Sequence, residues 1–166
     1  MPEVPEVPEV PEVPEVRTAR QARVRRFVRP PVDPTRAIGP GGWPYPFRPE
    51  PWDEMATGYR EWVGHLPAVA HVIAIIDSVR DSEARHTLGG FMSMHDLLVR
   101  PLPPVDPPYD VVAVRSHGSL RRVKPGHVLV EHLSTTGHDD RIQRPVAEAV
   151  PLFWRFMIEK FGVAPR

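Results

Sequence analysis

Pro67-Ala68-Val69-Ala70-His71-Val72-Ile73-Ala74-Ile75-Ile76-Asp77-Ser78-Val79 carries the clearest periodicity in the chain. Val69, Val72, Ile73, Ile76 and Val79 recur at i, i+3, i+4, i+7 and i+10, the spacing of one face of an α-helix. Asp77, Arg80, Asp81 and Glu83 fall on the opposite side, so the segment predicts a helix with one face in a core and one in water. Upstream, Asp53 is a suitable N-cap with Glu54 in the first turn, and a helix from there to about His65 sets Met55, Tyr59, Trp62 and Val63 on one side. Downstream, Gly89-Gly90 reads as the stop, either of the second helix or of the turn after it.

Beyond the glycines the period changes. Phe91–Val99, Tyr109–Ser116 and Gly126–Ser134 read as three strands, separated by a proline-rich loop at 101–108 and a basic turn around 118–125. They predict a three-stranded antiparallel meander, with Val111, Ala113 and Arg115 on one face and Val112, Val114 and Ser116 on the other. A last helix spans Pro145 to Phe161, with Pro145 in its first turn, Pro151 kinking it or marking its true start, and Gly162 at its end. Phe153, Trp154, Phe156, Met157 and Phe161 nearly encircle it. Such a helix is buried or meets another chain, and Phe153, Trp154 and Phe156 are the residues expected to form a partner interface. The fold class is α+β: two N-terminal helices, the meander and the aromatic-rich C-terminal helix.

The front of the chain has a different character. Of 23 prolines in 166 residues, 13 lie between Pro2 and Pro51. Residues 1–16 hold five copies of Pro-Glu-Val, a period matching the three-residue turn of polyproline II, and read as an extended, solvated spacer. Residues 17–52 read as an arm and linker. Seven arginines stand against one aspartate between Arg17 and Arg36, and Arg17, Arg20, Arg23, Arg25, Arg26 and Arg29 predict an arm for phosphate backbones or an acidic protein surface. The stretch 39–47 alternates proline with aromatics and is expected to run over the domain with Trp43, Tyr45 or Phe47 tucked in. The domain proper is assigned to 53–166, behind a disordered Pro/Arg-rich tail.

Several classes of chemistry are excluded or weakened. Without cysteine there is no disulfide, thiolate nucleophile or Cys-ligated metal. The longest apolar run, 66–76, is interrupted by Pro67 and His71 and falls far short of the ~20 residues of a membrane span. Met1 leads directly into Pro and Glu, so a signal peptide is not expected, and the cytoplasm is the default compartment. No Gly-x-Ser-x-Gly elbow or Gly-x-x-x-x-Gly-Lys phosphate loop occurs.

The densest set of reactive side chains lies in 127–144. His132, His138 and Asp139 are the candidate catalytic residues, an imidazole oriented by a carboxylate. His132, His138 and Asp140 are the candidate ligands of a divalent metal, the one cofactor the sequence suggests. His127 and His132 sit an odd number apart on a strand and point to opposite faces, so they do not share an ion. Ser134, Thr135 and Thr136 are equally what a polar turn requires. Arg115, Arg121, Arg122 and Lys124 gather on and after the second strand as a second basic patch, and Arg121, Arg122 and Lys124 join the arm as candidate contacts to nucleic acid or an acidic partner.

The leading expectation is a non-enzymatic binding or adaptor protein, holding a protein partner or a second copy through the aromatic helix and a polyanion through its arginines. A small metal-assisted or His-dependent hydrolase and a structural subunit of a larger assembly are the alternatives.

Overall fold

A computed structural model of the chain describes residues 42–63, 67–103, 106–138 and 140–166, all of which belong to one compact unit, 37–166. The arginines of the arm, the Pro-Glu-Val repeat and Asp139 lie outside the described residues.

Three helices and five strands follow in the order α1 (Trp52–Val63), α2 (Ala70–Arg80), β1 (Leu88–Ser93), β2 (Asp96–Pro101), β3 (Val111–Arg115), β4 (His127–Leu133), β5 (Asp140–Pro145) and α3 (Ala149–Phe161). The strands form one antiparallel sheet whose spatial order is their order in the chain. The α+β class and the meander are as predicted, but the sheet has five strands where three were expected.

Two local causes account for the difference. The segment read as one strand, 91–99, contains the turn of a β1–β2 hairpin: Ser93 pairs with Asp96 and Met94 adopts φ 58°. Gly89 and Gly90 lie inside β1 instead of ending a helix, because side chains press on them. A Cβ on Gly90 would stand 2.7 Å from the Trp52 ring, and one on Gly89 2.9 Å from Pro49 Cβ. Helix α2 ends earlier, with Asp81 donating its backbone N–H to Asp77 O. The fifth strand, 140–145, lies where the sequence pattern assigns no element, between the last predicted strand and the last helix. Only Ile142 of β5 packs against the main core, and backbone pairing with β4 holds the rest. Pro145 thereby ends β5, a single 3₁₀ turn follows, and Pro151 sits in the first turn of α3, where a missing N–H costs nothing. Gly162 closes α3 at φ 68°, as the sequence predicts.

The helices cover one face of the sheet. Leu97, Val99, Val112, Val114, Val128 and Val130 alternate along β2, β3 and β4 and meet Val72, Ile75, Ile76, Val79, Phe153, Phe156 and Met157. The predicted stripe on α2 is present but rotated: Ile75 is fully buried and Ile73 is half-buried. Phe153, Trp154 and Phe156 are buried here as well, which corrects their assignment to a partner interface. They fill the layer between α2 and the sheet, at about 1.5–3 kcal/mol for each large side chain taken from water. Trp154 Nε1 donates to Ser78 Oγ at 3.1 Å, so even its polar atom is turned inward.

The second face is covered differently at its two ends. Residues 42–50 cross one end as a strap: Trp43 and Tyr109 exchange backbone hydrogen bonds at 2.7 and 2.9 Å, and Glu50 N donates to Gly90 O at 2.8 Å. Beneath it Phe47 packs with Leu98, Tyr109, Val111 and Ala113 in a smaller core. Packed structure therefore begins at least ten residues before Asp53. At the other end of this face the apolar row gives way to charge.

Candidate functional site: an arginine-walled cleft on the sheet

Alternation along β3 brings Val111 and Ala113 under the strap and carries Arg115 beyond it on the same face. Asp96 opens β2 on one side of Arg115, and Glu131 on β4 lies diagonally on the other, paired with Ala113. The guanidinium bridges them. Arg115 Nε donates to Glu131 Oε2 at 2.8 Å and its Nη1 to Asp96 Oδ2. The side chains are 10%, 9% and 1% exposed for Arg115, Asp96 and Glu131, so this is a buried ion row. Sequence reading placed Arg115 in an open basic surface; the structure makes it the counter-charge of two acids.

Two further groups join from the β3–β4 connection. Ser119 Oγ donates to Asp96 Oδ2 at 3.0 Å, and Arg121 Nη2 stands 3.6 Å from Glu131 Oε1. Burial pushes the Asp96 carboxyl above its ordinary range, against the pull of Arg115 and the Ser119 hydroxyl. With two carboxylates and two arginines, the row is balanced.

Above it opens a cleft of about 400 Å³ walled by Arg121, Arg122, Arg141 and Gln143, with Leu129 as its apolar floor. Arg122 and Arg141 form no ion pair among the described residues. Glu131 is the cross-strand neighbour of Arg141, but its oxygens already face Arg115 and Arg121. The cleft therefore presents unspent positive charge over a neutralised base. Of the arginines and lysine predicted for this patch, Arg121 and Arg122 are in the wall, while the exposed Lys124 does not line it. Arg141 is not among the predicted contacts, since its segment carries no strand pattern; the pairing of β5 with β4 gives it its place.

The histidine cluster is only partly assembled. His132 and Asp140 are direct cross-strand partners. The His132 ring, however, packs edge-on against Phe161 at 5.7 Å, and Lys160 Nζ binds the Asp140 carboxylate. That ion pair, foremost, holds the Asp140 carboxyl below its usual range, with His132 and His138 adding to the effect. His138 is exposed in the turn, and among the described residues no three acid or imidazole side chains are grouped as metal ligands. Asp139 lies outside those residues.

His71 is buried, with its Nε2 3.1 Å from Ser116 Oγ. Ser116 is completely buried, so the pair ties α2 to the end of β3 and has no path to a substrate. Burial lowers the His71 pKa to about 4 and keeps the ring neutral.

Set against family models, curated proteins and solved structures, the chain matches none.

Proposed function

We propose that the protein is a non-enzymatic binding protein for the phosphate backbone of nucleic acid, held in the cleft between Arg121, Arg122 and Arg141. The observation that carries the reading is the pair Arg122 and Arg141, two guanidinium groups that line one concave surface and have no carboxylate partner among the described residues. Arginine forks match phosphate oxygens two at a time, and cations with no internal partner release condensed counterions when a polyanion arrives. The arm at 17–29 offers six more arginines for the same purpose. Recognition of this kind follows the backbone and does not read bases.

The test is fluorescence anisotropy of a labelled single-stranded oligonucleotide with the full-length protein across a salt series. Binding should weaken steeply with salt. The double substitution Arg122→Gln, Arg141→Gln should make the slope of log K against log salt shallower by about 1.4, at ~0.7 for each lost single-strand phosphate contact. An unchanged slope would remove the cleft from the interaction. Stronger binding of polyglutamate than of the oligonucleotide would reassign the cleft to an acidic protein surface.

A further inference from the structure

A second cavity, of about 230 Å³, lies between α1 and the β1–β2 hairpin, and its chemistry is opposite to that of the arginine cleft. Its walls are Met55, Tyr59 and Trp62 from α1 and Met92 from β1, with the carboxylates of Glu50 and Glu54 at its edge. Among the described residues no basic side chain lines it. Gly58 adds no side chain to α1 there and leaves the wall open.

Two features of these walls point to a cation with an apolar shell. Tyr59 and Trp62 bring two aromatic rings to the cavity, in edge-to-face contact with each other at 5.6 Å. The carboxylates are set against each other. Burial raises the Glu50 carboxyl above its ordinary range and the like charge of Glu54 adds to this, against the pull of the Met92 backbone, so a positive charge between the two carboxylates would offset their repulsion.

We propose that this cavity binds a methylated ammonium group. A bare ammonium requires acceptors on every side to replace its water, and among the described residues of these walls only Glu50 and Glu54 offer them. A methylated one presents C–H surface to those walls and spreads its charge toward the ring faces and the carboxylates. The size agrees. At ~30 Å³ per water the cavity holds about eight, enough for a small headgroup and below the ~300 Å³ at which pockets for drug-sized ligands begin. Free choline-type molecules and methylated lysine side chains share this group.

Full-length protein would be titrated with choline and with its neutral isostere 3,3-dimethylbutan-1-ol, following the Trp62 indole N–H by NMR and the heat by calorimetry. Choline should bind about 2- to 30-fold more tightly, the range that a cation over an aromatic face provides, with shifts confined to Trp62, Tyr59 and the neighbouring methionine methyls. Glu50→Gln and Trp62→Leu should each weaken choline and leave the alcohol nearly unchanged, and the alcohol serves as the control that the cavity is still formed. Tighter binding of N-acetyl-trimethyllysine amide than of choline would identify a protein side chain as the source, and the reverse order a free small molecule; either supports the assignment. Equal binding of choline and the alcohol, tighter binding of methylguanidinium than of choline, or shifts away from Trp62 would overturn it.

Discussion

At the scale of single residues, the buried charges decide what the fold tolerates. Among the described residues Arg115 is the one cation that reaches both Asp96 and Glu131, so Arg115→Ala leaves two carboxylates in the interior with, among those residues, Arg121 alone at 3.6 Å. Removing one partner of a buried ion pair costs about 3–5 kcal/mol. Arg115→Ala should lower the chemical denaturation midpoint accordingly, and the loss should shrink in mildly acidic buffer, where the stranded carboxyls take up protons that the unfolded chain holds less firmly. His71 acts in the opposite sense. Its native pKa of about 4 lies below the unfolded value of ~6.5, so near pH 7 both states are neutral, and below ~6.5 the unfolded state alone binds a proton. Its contribution is therefore complete above pH 6.5 and is lost as pH falls toward 4, by about 2–4 kcal/mol. Wild type should lose that much more stability than His71→Gln between pH 7 and pH 4, measured by urea unfolding at each pH. Equal losses would mean that His71 does not carry the acid sensitivity. The capacity of these residues was legible in the sequence, whereas their state was not. Arg115 looks like any strand arginine until β2 and β4 supply its acids, and His71 looks like a surface histidine until Ser116 closes on it.

At the scale of elements, two glycines separate backbone freedom from packing. Gly58 lies within α1 where an added Cβ would meet nothing within 4 Å. Gly58→Ala should raise stability by about 0.5–1 kcal/mol through helix propensity alone. Gly90 faces the Trp52 ring, which cannot easily yield, because its Nε1 donates to Leu88 O at 3.0 Å. Gly90→Ala should cost about 1–3 kcal/mol by overpacking. Thermal unfolding of both variants checks the contrast, and equal shifts would show that the Trp52 contact is soft. The same contact explains why β1 escaped prediction. Paired glycines after a helix signal a stop, and only the tertiary approach of Trp52, Phe47 and Pro49 requires them in a strand. Helix α2 was legible because burial on one face leaves a period of 3.6 in the sequence. Strand β5 was not, since Asp140-Arg141-Ile142-Gln143-Arg144-Pro145 has one apolar side chain and depends on backbone pairing, which leaves no side-chain pattern. The wall of the cleft was lost with it, as Arg141 acquires a place only through that register.

At the scale of the whole molecule, the two faces of the sheet are stabilised by different parts of the chain. The helices bury one face through a large core, and a short strap anchored by backbone bonds at Trp43 and Glu50 covers half of the other. This division leaves the far half free to carry arginines, because the strap stops before the ion row begins. The strap's main apolar anchor is Phe47, 5% exposed, with its ring edge-on to Phe91 at 5.0 Å and the Arg100 guanidinium 5.8 Å above it. Arg100 also lies 4.7 Å over Tyr109, and its Nε and Nη1 are buried without hydrogen-bond partners among the described residues, so its charge is met by these two rings and by the Asp110 carboxylate. Phe47→Ala removes one ring from the stack and opens a cavity over Leu98, Val111 and Ala113. The expected cost is about 3–5 kcal/mol. Because β2 and β3 contribute to both cores, the loss should appear in the single cooperative transition of the domain, with Trp fluorescence and far-ultraviolet circular dichroism shifting together. A fluorescence change that precedes the circular dichroism change would instead mean that the strap opens as a separate unit while the helical face of the sheet stays folded.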